Sequence, residues 1–317
     1  MVCLATEYSV HCLNLQFKSD TAMFKLFLYS FLLLCSFELH AHAGGLNKEG
    51  CHTNSKTKDY HCHAKKPGKT LANPVNKKDI NIVPLSDLKP ESVSTNLMRL
   101  DYEGFTVWLD CEKRGAVKFR YNAQRDTGNF KRSSKFYLDP KVPKECQQYS
   151  GKSYKAANGS KYDRGHLVPA NHLDYSKTAI KASNSMTNIL PQAANMNRGA
   201  WLMTEEVTEC YRDIDELLVV GGVIWGNDPS NDYFVKSHGV KTPDAFWKVI
   251  IRGVGSNERA IAWIVPNSAE ATRKKTDDYI VSIEKIEAIT GEVIPVADFT
   301  KYDKSNPWLI PRGCNKG

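Results

Sequence analysis

Residues 161–172 read KYDRGHLVPANH, and within them Asp163, Arg164, Gly165 and His166 set an acid, an arginine, a glycine and a histidine side by side. A glycine between two functional side chains implies a sharp change of backbone direction, so that Arg164 and His166 converge on one point. Alone, such a run is an ordinary solvated turn, and its meaning rests on the residues around it. They begin just downstream, in NSMTNILPQAANMNRGAW, residues 184–201. Asn197 opens a helical stretch there and Glu205 follows eight residues on. At about 3.6 residues per turn the two project from the same broad face. An asparagine oxygen and a carboxylate acting through water suit Mg²⁺, which keeps much of its own hydration and asks few ligands of a protein. Asn188 and Asn195 read as cap or turn residues.

The chain of 317 residues is 41% hydrophobic and 25% charged, which places it with soluble globular proteins having room for one large domain or two smaller ones. Its start is the exception. Met23-Phe24-Lys25 is followed by LFLYSFLLLCSF and ELHAHAGG, in the order charged region, apolar region and Ala-x-Ala site at Ala41 and Ala43. This predicts a secretory signal peptide over 23–43, with residues 1–22 an over-long start. The apolar run is too short, and too soon interrupted by Glu38, for a membrane span of about 20 residues.

Export puts Cys51, Cys62, Cys111, Cys146, Cys210 and Cys314 in an oxidising compartment, where an even set favours disulfides, although spacing does not fix their connectivity. The formal net charge is +8, and basic residues interleaved with aromatics concentrate in Glu112–Tyr137. Such a stretch is either a solvated basic face or a surface for a polyanion. Residues 44–66 are too few and too polar for a core, and carry Cys51, His52, His61, Cys62 and His63. They need a staple, either a Cys51–Cys62 disulfide or a Zn²⁺ ion held by thiolates and imidazoles. The stretch resembles a small Tyr-His-x-His module found near the start of exported bacterial proteins, a resemblance that carries no function. Residues 67–96, rich in Lys, Pro, Asn and Ser, read as a linker.

Globular texture begins at Leu97. GFTVWLDC and AVKFRYNA read as adjacent strands joined by an EKRG turn, and LLVVGGVIWG, FWKVIIRG and RAIAWIVPN as buried strands. Helical spacing runs through Trp201, Val207, Cys210 or Tyr211, Ile214 and Leu217 or Leu218, and again through Ile280, Ile283, Ile286 and Ile289 with a stop at Gly291. Strands and helices do not alternate regularly, which predicts an α+β fold with a mainly antiparallel sheet.

Taken together, the DRGH run, the Asn-Ile-x-Pro-Gln segment at 188–192 and the Asn-x-Gly-Ala-Trp helix start at 197–201 resemble the signature of the DNA/RNA non-specific endonucleases, the Serratia-nuclease-like family. The resemblance spans about Leu97 to Pro311, takes in the SIEKIEAITG helix, and makes 97–317 the catalytic domain. It implies a central sheet flanked by helices and a ββα-metal (His-Me finger) active site. Position by position, His166 matches the general base, Asn197 the single direct protein ligand to Mg²⁺, Glu205 a carboxylate orienting metal-bound water, and Arg164 an arginine at the phosphate. Mn²⁺ would substitute for Mg²⁺. Asp163 reads as a turn-stabilising acid, and the family's upstream arginine falls on Arg132 or Arg120. On the helix after Glu205, where some members carry a further arginine, this chain has Glu209.

The expected activity is hydrolysis of DNA and RNA to 5′-phosphate ends by an exported, periplasmic or extracellular, enzyme. An exported nucleic-acid-binding protein without turnover, or a phosphodiesterase on small nucleotides, would share several of these features. Binding alone does not require His166, Asn197 and Glu205 together.

Overall fold

The computed structural model describes residues 96–316 with their side chains and, before them, four short strands by their backbone. The chain divides into a unit of residues 1–77 and a unit of residues 78–317. In the first, β1 (Val2–Thr6) pairs antiparallel with β2 (Ser9–Leu13), and β3 (Cys51–Thr53) with β4 (Tyr60–Cys62). Cys51 stands opposite Cys62 and His52 opposite His61. The signal segment, the rest of the 44–66 module and residues 67–95 lie outside the described residues.

The second unit is built on a seven-stranded antiparallel sheet. In chain order its strands are β5 (Leu97–Tyr102), β6 (Phe105–Asp110), β7 (Gly115–Ala123), β10 (Leu217–Ile224), β11 (Ala245–Arg252), β12 (Arg259–Pro266) and β13 (Ile280–Val281). They lie in the order β13-β12-β11-β10-β7-β6-β5. The EKRG turn joins β6 to β7 as expected, with Asp110 opposite Gly115 and Arg114 in the left-handed region at φ 54°. Side chains alternate across a strand, and here both faces are covered, so the central strands read as nearly continuous apolar runs. Phe119, Val219, Phe246, Ile250 and Trp263 belong to one core. Val220, Trp247, Val249, Ile251 and Ile264 belong to a second.

The second core is closed by the helix Ile283–Thr290, whose Ile283, Ile286 and Ile289 are buried. Ser282 caps that helix, accepting from Lys285 N–H at 3.2 Å, and Gly291 ends it at φ 69°. Ile280 falls in β13 instead. The first core is closed by a separate layer: β8 (Tyr162–His166), β9 (Ile189–Ala193) and the helical run that follows β9. This run consists of Ala194–Met196, the wider π turn Asn197–Trp201 and the helix Leu202–Arg212.

Two expectations are corrected. The helix ends at Arg212; Leu217 and Leu218, which fitted both the helical spacing and the strand read from LLVVGGVIWG, belong to the strand, beginning β10 in register with β7 and β11. The DRGH run is a strand and not a turn. Asp163, Arg164, Gly165 and His166 pair with Gln192, Pro191, Leu190 and Ile189. Gly165 is required by close approach: a Cβ there would sit 2.1 Å from the Gln192 side chain.

Candidate active site

β8, β9 and the helical run fix the site, and strand alternation alone puts Arg164 and His166 on one side of β8. The end of the strand is pinned from behind. The fully buried Trp201 donates Nε1–H to the His166 carbonyl at 3.2 Å, and Gln192 donates to the same oxygen at 3.4 Å. Asn188 holds the following loop, accepting from Val168 N–H at 3.0 Å and donating to the carbonyls of Val168 and Ser183. It is the structural asparagine its sequence context implies. Asn195, which donates to the Ala269 carbonyl at 3.1 Å, is likewise structural.

A pocket of about 660 Å³ opens over this layer, and Arg132, Asp163, Arg164, His166, Asn197 and Glu205 all line it. Arg120 does not. It lies between Phe119 and Tyr121, which face the first core, so alternation carries it to the opposite side of the sheet, beside Val220. Of the two upstream arginines, Arg132 alone reaches the site.

The hydrogen bonds of Asn184 set the state of His166. Asn184 Nδ2 donates to the carbonyls of Ser133 at 2.5 Å and Lys135 at 3.3 Å, so its Oδ1 is the atom 3.0 Å from His166 Nε2. The imidazole must therefore donate from Nε2, which leaves Nδ1 as the ring nitrogen with a free lone pair. Burial pushes the imidazole pKa down to about 4; the Asn184 bond opposes this, and Arg132 and Arg164 reinforce it. The ring is neutral at physiological pH. Phe136 forms a wall beside it, 5.7 Å between ring centroids, and the Arg164 guanidinium lies 3.9 Å from the centroid of the same ring. Arg164 is also tied to the Gly151 carbonyl at 2.9 Å.

Asp163 accepts from Asn197 Nδ2 at 2.9 Å and from Arg198 Nε at 2.8 Å and Nη2 at 2.7 Å. It orients the asparagine amide and leaves Asn197 Oδ1 as the uncommitted donor atom. Glu205, two turns along, lines the same pocket. Burial pushes its carboxyl pKa well up, and Lys248 and Arg132 oppose that shift. Lys248 is itself fully buried on β11, donating to Thr204 Oγ1 at 2.8 Å with its ammonium 3.9 Å from the centroid of the Trp201 ring. Burial pushes its pKa down, and the Glu205 charge opposes. Among the described residues no group of three or more His, Cys, Asp or Glu could hold a metal ion. One neutral oxygen with a carboxylate close by fits a hard, largely hydrated cation and does not fit Zn²⁺.

Glu209 belongs to a different cluster. Burial raises its carboxyl, but His172 and Arg212 outweigh that and hold it below the usual range. His172 Nε2 lies 2.9 Å from Glu209 Oε2 and its Nδ1 2.8 Å from the Tyr121 hydroxyl. Arg212 pairs with the other carboxylate oxygen. This buried set fastens the helix to the loop after β8.

The sequence reading missed Asn184 and Lys248. Asn184 sits in no recognisable pattern. Lys248 carried a signal: a lysine inside FWKVIIR, where both faces of the strand are buried, needs a buried partner.

His166, Arg164, Arg132, Asn197 and Glu205 are thus gathered around one pocket. Residues 87–302 match the family model described as DNA/RNA non-specific endonuclease, and the chain belongs to that family. It is 29% identical over 243 residues to a nuclease of Nostoc sp., covering 66% of this chain and 83% of that protein. To the mouse mitochondrial nuclease EXOG it is 28% identical over 190 residues, covering 54% of this chain and 48% of the mouse protein, about half its length. The fold resembles a chain of the crystal structure of the EndoG/EndoGI complex, with a TM-score of 0.53 and 18% identity over 64% of this chain and 88% of that one.

Proposed function

We propose that this chain is an exported, Mg²⁺-dependent endonuclease that cleaves both DNA and RNA to 5′-phosphate and 3′-hydroxyl ends, with His166 as general base. The observation that carries it is the Asn184–His166 hydrogen bond, which keeps the proton on Nε2 and leaves Nδ1 basic in a pocket shared with Asn197 and Glu205. A phosphodiester resists attack because the nucleophile approaches an anion. A catalyst must take a proton from water near neutral pH, shield the phosphate charge and stabilise the departing oxygen.

Neutral His166 accepts the water proton at Nδ1. Arg164 and Arg132 offer charge-assisted hydrogen bonds to the phosphate oxygens as negative charge builds on them. Asn197, oriented by Asp163, and Glu205, acting through water, would hold the ion. Mg²⁺ there would supply Lewis-acid polarisation of a phosphate oxygen and neutralise charge at the leaving 3′-oxygen. No group in the pocket calls for a 2′-hydroxyl, which supports action on DNA and RNA alike. Disulfides at Cys111–Cys146 and Cys210–Cys314 support an oxidising destination. Among the described residues, no helix is long and apolar enough to cross a membrane.

The test is digestion of supercoiled plasmid and of RNA by the mature protein, with Mg²⁺, with EDTA, and with His166→Ala as control. Intact substrates after incubation with folded protein and Mg²⁺ would overturn the activity. Full activity in folded His166→Ala would overturn the base, and 3′-phosphate ends the direction of cleavage.

A further inference from the structure

We propose that Phe130 is a stacking platform for a nucleobase beside the scissile phosphate, giving this enzyme a base-dependent but sequence-tolerant hold on its substrate; this rests on the nuclease function proposed above. Arg132, Arg164, His166, Asn197 and Glu205 account for one phosphate group and the water that attacks it. The pocket, at about 660 Å³, is much larger than that and falls in the size range of sites that enclose a whole small molecule. Its remaining wall includes Phe130 and Leu202, which are 49% and 37% exposed.

A single exposed phenylalanine is unremarkable on most surfaces. Phe130 differs in where it stands and how it is held. It immediately precedes Lys131 and Arg132, the latter in the same pocket, so a backbone drawn to those charges brings its bases to the ring. Its own N–H donates to the Asp174 carbonyl at 3.1 Å. Gly128, two residues earlier, lies so close to that carbonyl that a Cβ would come within 2.2 Å of its oxygen. Backbone anchored at Phe130 and just before it presents the ring without a large ordering cost. Phe136, the pocket's other phenylalanine, is already engaged by Arg164 and His166 and serves as inner wall. Every base has a π face, so aromatic stacking strengthens binding without selecting a sequence.

The test uses an end-labelled single-stranded oligonucleotide and its twin carrying one internal abasic residue, with wild type, Phe130→Ala and Phe130→Trp. Cleavage is read linkage by linkage, and affinity is measured separately by fluorescence anisotropy in EDTA. Wild type should cut the linkages flanking the abasic residue about 5- to 150-fold less efficiently than the same linkages in the intact strand, mainly through KM. Phe130→Ala should bring the intact strand down to that level with no further loss on the abasic strand, and Phe130→Trp should restore the difference. Equal losses for Phe130→Ala on both strands, or no discrimination by wild type, would overturn the proposal. Failure of folded wild type to cut either strand in Mg²⁺ would instead sink the nuclease function, and the affinities in EDTA would still decide the role of Phe130.

Discussion

At the scale of the residue, the roles proposed for His166 and Asn197 require that they fail differently when truncated, one losing a proton acceptor and the other an ion's ligand. His166→Ala is expected to lose roughly 10² to 10⁴ in kcat with its Mg²⁺ requirement unchanged. Asn197→Ala should recover part of its activity at high Mg²⁺ or with Mn²⁺; a titration of rate against metal for each folded variant checks both. The imidazole also sets a pH signature. Its folded pKa of about 4 lies below the ordinary 6.5, so the unfolded chain binds the proton first as pH falls. The stability linked to the neutral ring is intact above about 6.5 and is lost between there and about 4. Denaturant titrations across that window should give a shallower slope in His166→Ala than in wild type, and identical slopes would mean that the ring titrates normally. His166, Arg164, Asn197 and Glu205 were legible as candidates because the DRGH run and the Asn-x-Gly-Ala-Trp helix start occur together in one signature, and all four line one pocket. Asn184 was not, since only the fold brings it to His166. The choice between Arg132 and Arg120 was in the sequence all along: Phe119 and Tyr121 flank Arg120 in an alternating strand, and that period sends it to the other face.

At the scale of the element, β8 and β9 depend on one absent side chain. Gly165→Ala would drive a methyl into Gln192, an overpacking that costs about 1–3 kcal/mol. Because the strand carries Arg164 and His166, activity should fall with it. Gln192→Ala in the same chain should recover much of the loss, and chemical denaturation of both single variants and the double variant measures that coupling. Additive losses would mean that the clash lies elsewhere. The elements themselves were largely readable from apolar periodicity, and the long antiparallel strands came out where β-branched and aromatic residues cluster. The helix end was misplaced because Ile214, Leu217 and Leu218 extend the 3.6-residue period by coincidence. Ile214 is in fact 58% exposed, and the two leucines are claimed by the sheet. DRGH looked like a turn because glycine usually signals conformational freedom, whereas here it signals lack of room.

At the scale of the whole molecule, cysteine pairing organises the chain. Spacing left the connectivity open, but with Cys111–Cys146 and Cys210–Cys314 formed, Cys51 and Cys62 are what remains of the six cysteines after residue 43. They face one another in register on β3 and β4. Peptide mapping without reductant should recover those two linked. Stoichiometric zinc in the purified protein, with both thiols free to alkylation after chelation, would favour the metal instead. Deleting residues 44–86 should leave cleavage intact, because the family match begins at residue 87. The Cys210–Cys314 bridge closes a sequence separation of 104 residues. Cys314→Ser should lower stability by roughly 2–4 kcal/mol, measurable as a reduced denaturation midpoint.

One end of that bridge, Cys314, lies beyond the region the chain shares with its family, which ends at residue 302. The closing stretch returns to the helix Leu202–Arg212: Tyr211 donates its hydroxyl to the Leu309 carbonyl at 3.1 Å, Trp308 packs 4.8 Å from the Tyr211 ring, and Lys316 pairs with Glu206 at 2.9 Å. A chain made from its N-terminus has Glu205 and the helix that carries it in hand long before it has the clasp for that helix. The covalent fastening of that helix waits until Cys314 has been synthesised and has met an oxidant, so a copy lacking Cys314 would keep His166, Asn197 and Glu205 yet hold Glu205 on a helix with a stray thiol at Cys210.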